Sequence, residues 1–339
     1  MNDNTENHEE SSVEEKKTSF EELIEQKENE LNNEFESSTQ DVSMEKLEEL
    51  RIIVKNQILK IIVITALVFV LVLVIFGFEA ISLFWFVVVF CFILVIFVPA
   101  KNKRNLNDAY KQYFVKKTLQ SIFSDLEYKP YSGIKRDTID VTGMMSTGDI
   151  FSSNDLVEGK YNGIKFRQSD IEIQNESTDS DGDTTYTTIF KGRWMIFDFN
   201  KTFKANVQVA QKGFGGAIRR KRYKGEEKYK RVKLESHDFN KRFKVFAQSE
   251  LEAFYILTPH MMERIIKLDN DNQGKMMLCF YNNKLHVAIN DGKDSFEYTS
   301  YFKKINEQNE LEKTSKDIKL ITSFIEDLNL ENDIFRKEV

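Results

Sequence analysis

Cys279 and His286 lie on either side of Asn282-Asn283. If those two asparagines turn a hairpin, Tyr281 pairs with Lys284 and Cys279 falls directly opposite His286, because Asn tolerates the positive φ that such turns need. A thiol beside an imidazole is the pairing from which thiolate nucleophiles are made. The sequence offers no third group to orient the imidazole and no evident oxyanion donor. The pair therefore reads more readily as packing than as a catalytic dyad. His237 and His260 stand alone, without H-x-x-x-H or C-x-x-C spacing, so neither a metal site nor a cofactor is expected. With two cysteines in the chain, a disulfide framework is excluded as well.

Two acidic runs can be tested against a known ligand pattern. An EF-hand loop needs Gly at its sixth position and Glu at its twelfth. Counted from Asp179, with Asp181 and Asp183 following, those positions are Thr184 and Phe190. Counted from Asp269 they are Gly274 and Phe280. Both runs read as turns. Gly213-Phe214-Gly215-Gly216 lacks the Lys-Ser/Thr ending of a phosphate loop and reads as a flexible connection.

The strongest candidate for a binding segment is basic. Residues 212–233 hold ten Lys/Arg against two Glu, with Tyr223 and Tyr229 interleaved. Arg219, Arg220, Lys221 and Arg222 are consecutive; Lys228, Lys230, Arg231 and Lys233 follow. Near an anionic leaflet each such charge adds about 1 kcal/mol of attraction, which makes anionic lipid headgroups the candidate ligand. Three other readings compete: a solvated loop, a dock for the chain's own acidic tail, and nucleic acid, for which basic-aromatic interleaving suits phosphate plus stacking. No RNA-recognition or helix-turn-helix signature strengthens the last.

These residues need elements to hold them. Ile61 to Phe78 is 18 residues without a charge; after Glu79, Ala80 to Ala100 adds 21 more. At about 1.5 Å per residue each run matches a hydrocarbon core of roughly 30 Å. The expectation is a transmembrane hairpin with spans at about 61–78 and 80–100. Arg51, Lys55 and Lys60 precede it and Lys101, Lys103 and Arg104 follow it, which puts both termini in the cytoplasm and Lys60, Lys101, Lys103 and Arg104 at the membrane interface. The spans hold no ionisable residue within them, so they read as an anchor rather than a transport path. Met44, Leu47, Leu50, Val54 and Ile58 recur every three or four residues, so the first helix should start near Ser43 and run unbroken into the bilayer.

Residues 1–45 carry a net charge of −12 within a chain of −6, so the low pI belongs to this tail alone. Residues 1–42 read as mostly disordered, with an amphipathic trace at Phe20, Leu23, Ile24, Leu31 and Phe35; there is no signal peptide pattern. Residues 43–104 form the membrane part, and 105–339 a cytosolic α+β domain with an antiparallel sheet and flanking helices. Within it, helices are expected at 106–126, 258–268 and 315–330. Strands are expected around 164–173, 194–199, 203–209, 232–246, 252–257, 275–281 and 284–289. The string D-F-N-K-T-F-K (198–204) is echoed by D-F-N-K-R-F-K (238–244), which is read as one strand-entry motif used twice.

Three stretches carry a resemblance: T-T-I-F-K-G-R-W-M-I-F-D-F-N-K-T-F (187–203), K-L-E-S-H-D-F-N-K-R-F-K-V-F-A (233–247) and E-A-F-Y-I-L-T-P-H-M-M-E-R-I (252–265). They resemble a bacterial family catalogued as domain of unknown function 3137, whose order of two membrane spans, a helix and a β-rich part is also similar. The resemblance covers most of residues 45–300. It implies a bacterial cell-membrane protein with no established reaction and no catalytic residues to carry over. It hints at a membrane partner of LemA type.

The combined expectation is a non-enzymatic, multi-pass membrane protein whose cytosolic domain binds or scaffolds. It would be apposed to anionic lipid through Arg219, Arg220, Lys221, Arg222, Lys228, Lys230 and Arg231. A membrane-tethered enzyme of unknown reaction and a nucleic-acid-binding module are the alternatives.

Overall fold

Alternating side chains between residues 124 and 290 build one nine-stranded, wholly antiparallel sheet. The computed structural model describes residues 21–37, 42–76, 99–199, 203–214, 229–328 and 330. Its first helices are α1 (21–37), α2 (Met44–Phe76) and α3. Helix α3 is an α-helix over Ala100–Tyr110, widens to a π-helix over Lys111–Lys116, and narrows again over Lys117–Ile122. Then come β1 (Ser124–Lys129), α4 (Arg136–Asp140), β2 (Ile150–Tyr161), β3 (Ile164–Thr178), β4 (Thr184–Asp198), β5 (Val207–Gln211) and β6 (Lys230–Val232). The chain continues through α5 (His237–Arg242), β7 (Phe243–Ala247), α6 (Glu250–Ile256) and α7 (Pro259–Asp271). It ends with β8 (Lys275–Tyr281), β9 (Lys284–Asn290) and α8 (Glu307–Asp327). Two compact units result: Met1–Ser38, Ile122–Ser295 and Asp317–Val339 form the first, Thr39–Ser121 and Phe296–Lys316 the second.

In the first unit the strands run in the order β1-β2-β3-β4-β9-β8-β5-β7-β6. Turn chemistry sets the register. Asn162 (φ 47°) and Gly163 (φ 82°) turn β2 into β3, and Asn282 (φ 54°) turns β8 into β9. Gly192 (φ 151°) lets β4 approach β9 so closely that a Cβ would sit 2.1 Å from the Ile289 carbonyl oxygen. One face packs Ile171, Phe190, Trp194, Ile196, Cys279 and Ala288 under Ile134, Ile139, Met144 and Met145. On the other, Phe197 stacks on Phe324 of α8, centroids 6.0 Å apart, and Ile318, Ile321, Ile325 and Leu328 are buried with it. That stripe is the one the sequence periodicity marks. Helix α7 likewise begins where expected: the Thr258 hydroxyl accepts from the Met261 amide, and Pro259 takes the first helical position.

Four expectations change. The helix expected to reach Leu126 ends at Ile122, because Asp125 takes φ 50° and the chain enters β1 to pair with β2. The expected strand 232–246 is interrupted by α5, capped by Ser236, whose side chain accepts from the Phe239 amide. The expected strand 252–257 is the helix α6, capped by Ser249, which accepts from the Glu252 amide. Instead of two short strands at 194–199 and 203–209, β4 is a single long strand and β5 starts at Val207. The echoed strings share one packing device: Phe199 and Phe203, like Phe239 and Phe243, touch ring to ring at 5.0 and 4.8 Å, just before or at the start of the neighbouring strands β5 and β7.

The described part of the acidic tail is the helix α1. Its Phe35 packs edge-on against Tyr128. Asn32 donates to Ser132 Oγ (2.9 Å) and accepts from the Tyr131 amide (3.1 Å). Leu23 and Ile24, at the other end of α1, are exposed.

In the second unit the N-terminal half of α2 buries Leu47, Val54, Ile58 and Ile61 and packs against the first part of α3. Arg51 donates to Glu48 (2.9 Å) and to the Tyr301 carbonyl (2.7 Å), and Lys111 pairs with Glu297 at 2.9 Å. Burial, with Glu310 nearby, pushes the Tyr298 phenol up to about 12.

Candidate functional site

The β8–β9 hairpin does bring Cys279 opposite His286, with Tyr281 opposite Lys284. Neither residue can act as the pairing suggests. Cys279 is fully buried, points a weak S–H donor at the Thr142 carbonyl (3.9 Å), and has its thiol pushed up by burial. His286 Nδ1 accepts from the Trp194 indole N–H at 3.3 Å. Burial, reinforced by the positive charges of Lys284 and Arg167, lowers the imidazole to about 3. An imidazole that carries no extra proton at neutral pH cannot stabilise a thiolate beside it. The pair belongs to the core under α4 and the segment that follows it. Grooves of about 650 and 630 Å³ lie in the second unit around Lys304, Ile305 and Glu307. Neither includes Cys279 or His286.

A charged cluster on the opposite face of the same sheet escapes sequence reasoning. Asp170 on β3 faces Arg193 on β4 across the ladder. Asp170 accepts from the Ser295 amide (2.6 Å) and hydroxyl (3.2 Å). Arg193 reaches Asp291 (3.4 Å) and the Asp317 carbonyl (3.2 Å), which ties β4 to the last helix. Asp155 sits at the bulge of β2 with φ 55° and accepts from the Tyr128 hydroxyl and from Asn154 Nδ2. Burial, and then the Asp155 and Asp294 carboxylates, raise Asp170 well above the usual carboxylate range; Ser295 and Arg193 only partly oppose them. The signal in the sequence is Arg193 at the head of the apolar string Trp194-Met195-Ile196-Phe197. The arrangement is that of a structural clamp, since Asp170, Asp155 and Asp291 are each held by protein donors.

The first acidic run is a turn, whereas Asp269 to Asp271 of the second form the last turn of helix α7. Asp179 Oδ1 accepts from the amides of Asp181 (3.0 Å) and Asp183 (2.9 Å) between β3 and β4. Asp269 pairs with Arg242 at 3.3 Å at the end of α7. Gly213 (φ 81°) follows β5 in a turn, and Gly215 and Gly216 lie outside the described residues.

Among the described residues one helix is long and apolar enough to cross a membrane, Met44–Leu71 within α2; only 17% of its most apolar 18-residue window is buried. Nine large apolar side chains from Leu59 to Val74 are exposed, over roughly two-thirds of the helix circumference at 100° per residue. At about 1 kcal/mol each in water, they would oppose solubility by on the order of 10 kcal/mol, which is the whole stability of an ordinary domain. The Thr65 hydroxyl is satisfied within the helix by the Ile61 carbonyl (2.7 Å). The second span expected at 80–100 falls, apart from its last two residues, outside the described residues. Lys60, Lys101 and Arg104 are exposed, and Lys103 lies with its ammonium 5.8 Å from the Tyr301 ring. Arg51 is not a free flanking charge, being buried against Glu48.

Of the basic segment, Lys230 and Arg231 are exposed on β6, the strand at one edge of the sheet, and Lys233 is exposed just beyond. Arg219, Arg220, Lys221, Arg222 and Lys228 lie outside the described residues.

The fold and its exposed helix define a mixed protein: a large antiparallel-sheet domain on a chain that carries an apolar helix of membrane-spanning length. Residues 188–330 match the model of the family described as "Protein of unknown function (DUF3137)", the family that the strings at 187–203, 233–247 and 252–265 resemble. The matched stretch does not include the apolar run, so it is silent on anchoring. No curated protein matches the chain. Among solved structures, the crystal structure of the mycobacterial trehalose monomycolate transport factor A, TtfA, is similar at 11% identity and a TM-score of 0.35. The likeness covers 67% of this chain and 96% of that one.

Proposed function

We propose that the chain is an integral protein of the bacterial cell membrane. Two spans, at about 61–78 and 80–100, hold it with both termini in the cytoplasm. A cytosolic sheet domain binds or scaffolds at the membrane surface and performs no catalysis. The observation that carries this is the exposure of nine large apolar side chains along α2. The orientation rests on Lys55, Lys60, Lys101, Lys103 and Arg104, which keep the positive-inside count without Arg51. The burial of Cys279 and His286 supports the non-catalytic reading. The basic segment from Arg219 to Lys233 is the surface we assign to anionic headgroups. A LemA-type membrane protein is the protein partner to test alongside.

The test is alkaline carbonate extraction of membranes holding the full chain with a tag at each end, followed by protease treatment of spheroplasts and of inverted vesicles. The chain should remain in the membrane pellet, and both tags should be digested only in inverted vesicles. Release by carbonate would remove the anchor, and digestion of either tag in spheroplasts would overturn the orientation.

A further inference from the structure

Helix α6 turns one carboxylate inward and three apolar side chains outward. Glu252 is only 8% exposed, and its carboxylate accepts from the Lys204 amide at 3.2 Å; Ala253 and Ile256 face inward with it. Outward, at helical spacing, stand Leu251 (82% exposed), Phe254 (42%) and Tyr255 (52%). Single exposed apolar residues are ordinary, but three on one turn with a carboxylate turned inward are not. Helix α6 packs against β6 and β7 of the same unit. The adjoining edge strand is basic: Lys230 and Arg231 on β6, and Lys233 after it, are all exposed. The chain reaches β6 directly from the run Arg219–Lys228.

An aliphatic and two aromatic side chains beside a basic edge strand, whose three exposed cations outnumber the exposed Glu235 and Glu250 nearby, match one surface above others. Anionic lipid accepts apolar groups at the boundary of headgroups and acyl chains, and cations among the headgroups.

We propose that α6 is a lipid-touching wedge: Leu251, Phe254 and Tyr255 enter the surface of an anionic leaflet while Lys230, Arg231 and Lys233 bind its headgroups. The inference rests on the membrane-anchored reading. A patch of one turn is too small to hold a free protein on a bilayer. On a tethered chain the contact is intramolecular in effect, so it needs little affinity of its own.

The test uses the full chain with Phe254→Trp, reconstituted into vesicles of brominated phosphatidylcholine with or without brominated phosphatidylglycerol. Its emission is compared with that of the parent chain, whose Trp85 lies in the proposed second span and whose Trp194 is buried in the sheet and supplies an unquenched background. The added indole should be quenched about twofold more with phosphatidylglycerol present, and the excess should vanish in high salt or when Lys230, Arg231 and Lys233 are all changed to Gln. If the emission added by Phe254→Trp is unquenched while Trp85 is still quenched, the wedge is overturned and the anchor stands. An unquenched Trp85 overturns the anchor itself. Equal quenching in both lipids overturns the headgroup assignment. A blue shift without quenching that grows with protein density assigns the patch to a protein partner and overturns the lipid contact. Leu251→Trp, at the most exposed position, repeats the test should Phe254→Trp disturb folding.

Discussion

Cys279, His286, Asp170 and Arg193 lie inside the sheet domain, whereas Leu67, Val70, Leu251 and Phe254 lie on the outside of helices. The first group has the residue types of an active site and the surroundings of a core. The second has the residue types of a core and the surroundings of a surface. In this chain the exposed hydrophobic residues carry the functional reading, and the ionisable ones hold strands together. Residue type alone would have assigned the roles the other way round, and burial decides between them.

The sharpest way to break that contrast is to put charge on the outer surface of α2. Leu67→Arg with Val70→Arg adds about 2.5–3.5 kcal/mol against insertion at each position. Less of the protein should then resist carbonate extraction; full retention would show that the second proposed span, 80–100, holds the chain without α2. Inside the sheet a single methyl should suffice. Gly192→Ala places a Cβ against the Ile289 carbonyl at a φ that L-residues avoid, and should lower stability by about 3 kcal/mol in a denaturant titration in detergent. An unchanged midpoint would show that β4 and β9 can part at this point without cost.

The interior charges can be tested by pH. His286 titrates at about 3 in the folded chain and near 6.5 when unfolded, so the unfolded state binds the extra proton between those values. Its contribution to stability is complete above pH 6.5 and is lost as pH falls toward 3. Asp170 is raised, so its sign is opposite: the folded state keeps the proton longer, and stability falls as pH rises from the ordinary Asp range through the raised value. His286→Gln should flatten the acid limb of a melting-temperature profile, and Asp170→Asn the limb above it. A profile unchanged by either would mean that these groups are not buried as described. The smallest effect belongs to the outside of α6. Leu251→Ser and Phe254→Ser should leave stability within about 0.5 kcal/mol of the parent, and a larger loss would show that these side chains are packed.

Where turn and cap chemistry is explicit, the sequence is a good guide. Asn282-Asn283 fixes the Cys279–His286 register, Thr258-Pro259 starts α7, and the stripe from Ile318 to Leu328 is the buried face of α8. The uninterrupted apolar run makes α2 legible from residue types alone. Helix α6 is not legible in the same way, because Glu252 to Leu257 mixes aromatic and aliphatic residues that suit a strand, and its orientation is set by what packs beneath it. The signal that could have found it is Ser249 three residues before Glu252, a capping pattern at a helix start. The Asp170–Arg193 clamp was hidden for a different reason. Its partners come from β3, β4, the residues just after β9, and α8, and no local pattern joins positions so far apart along the chain. Of the basic candidates, Lys230 and Arg231 are exposed on β6.

The strand order has a consequence for how the protein is made. Strand β4, complete at Asp198, takes its second neighbour from β9, which begins at Lys284. Synthesis at roughly 5–20 residues per second leaves that edge of β4 unpaired for on the order of 5–20 s on a nascent chain. The apolar helix α2 has by then already left the ribosome. A slow, late closure of a hydrophobic strand edge is an opportunity for misassembly between neighbouring chains. Chains spread apart in a bilayer meet one another less freely than chains crowded on one message in solution, so early insertion would protect the half-built sheet.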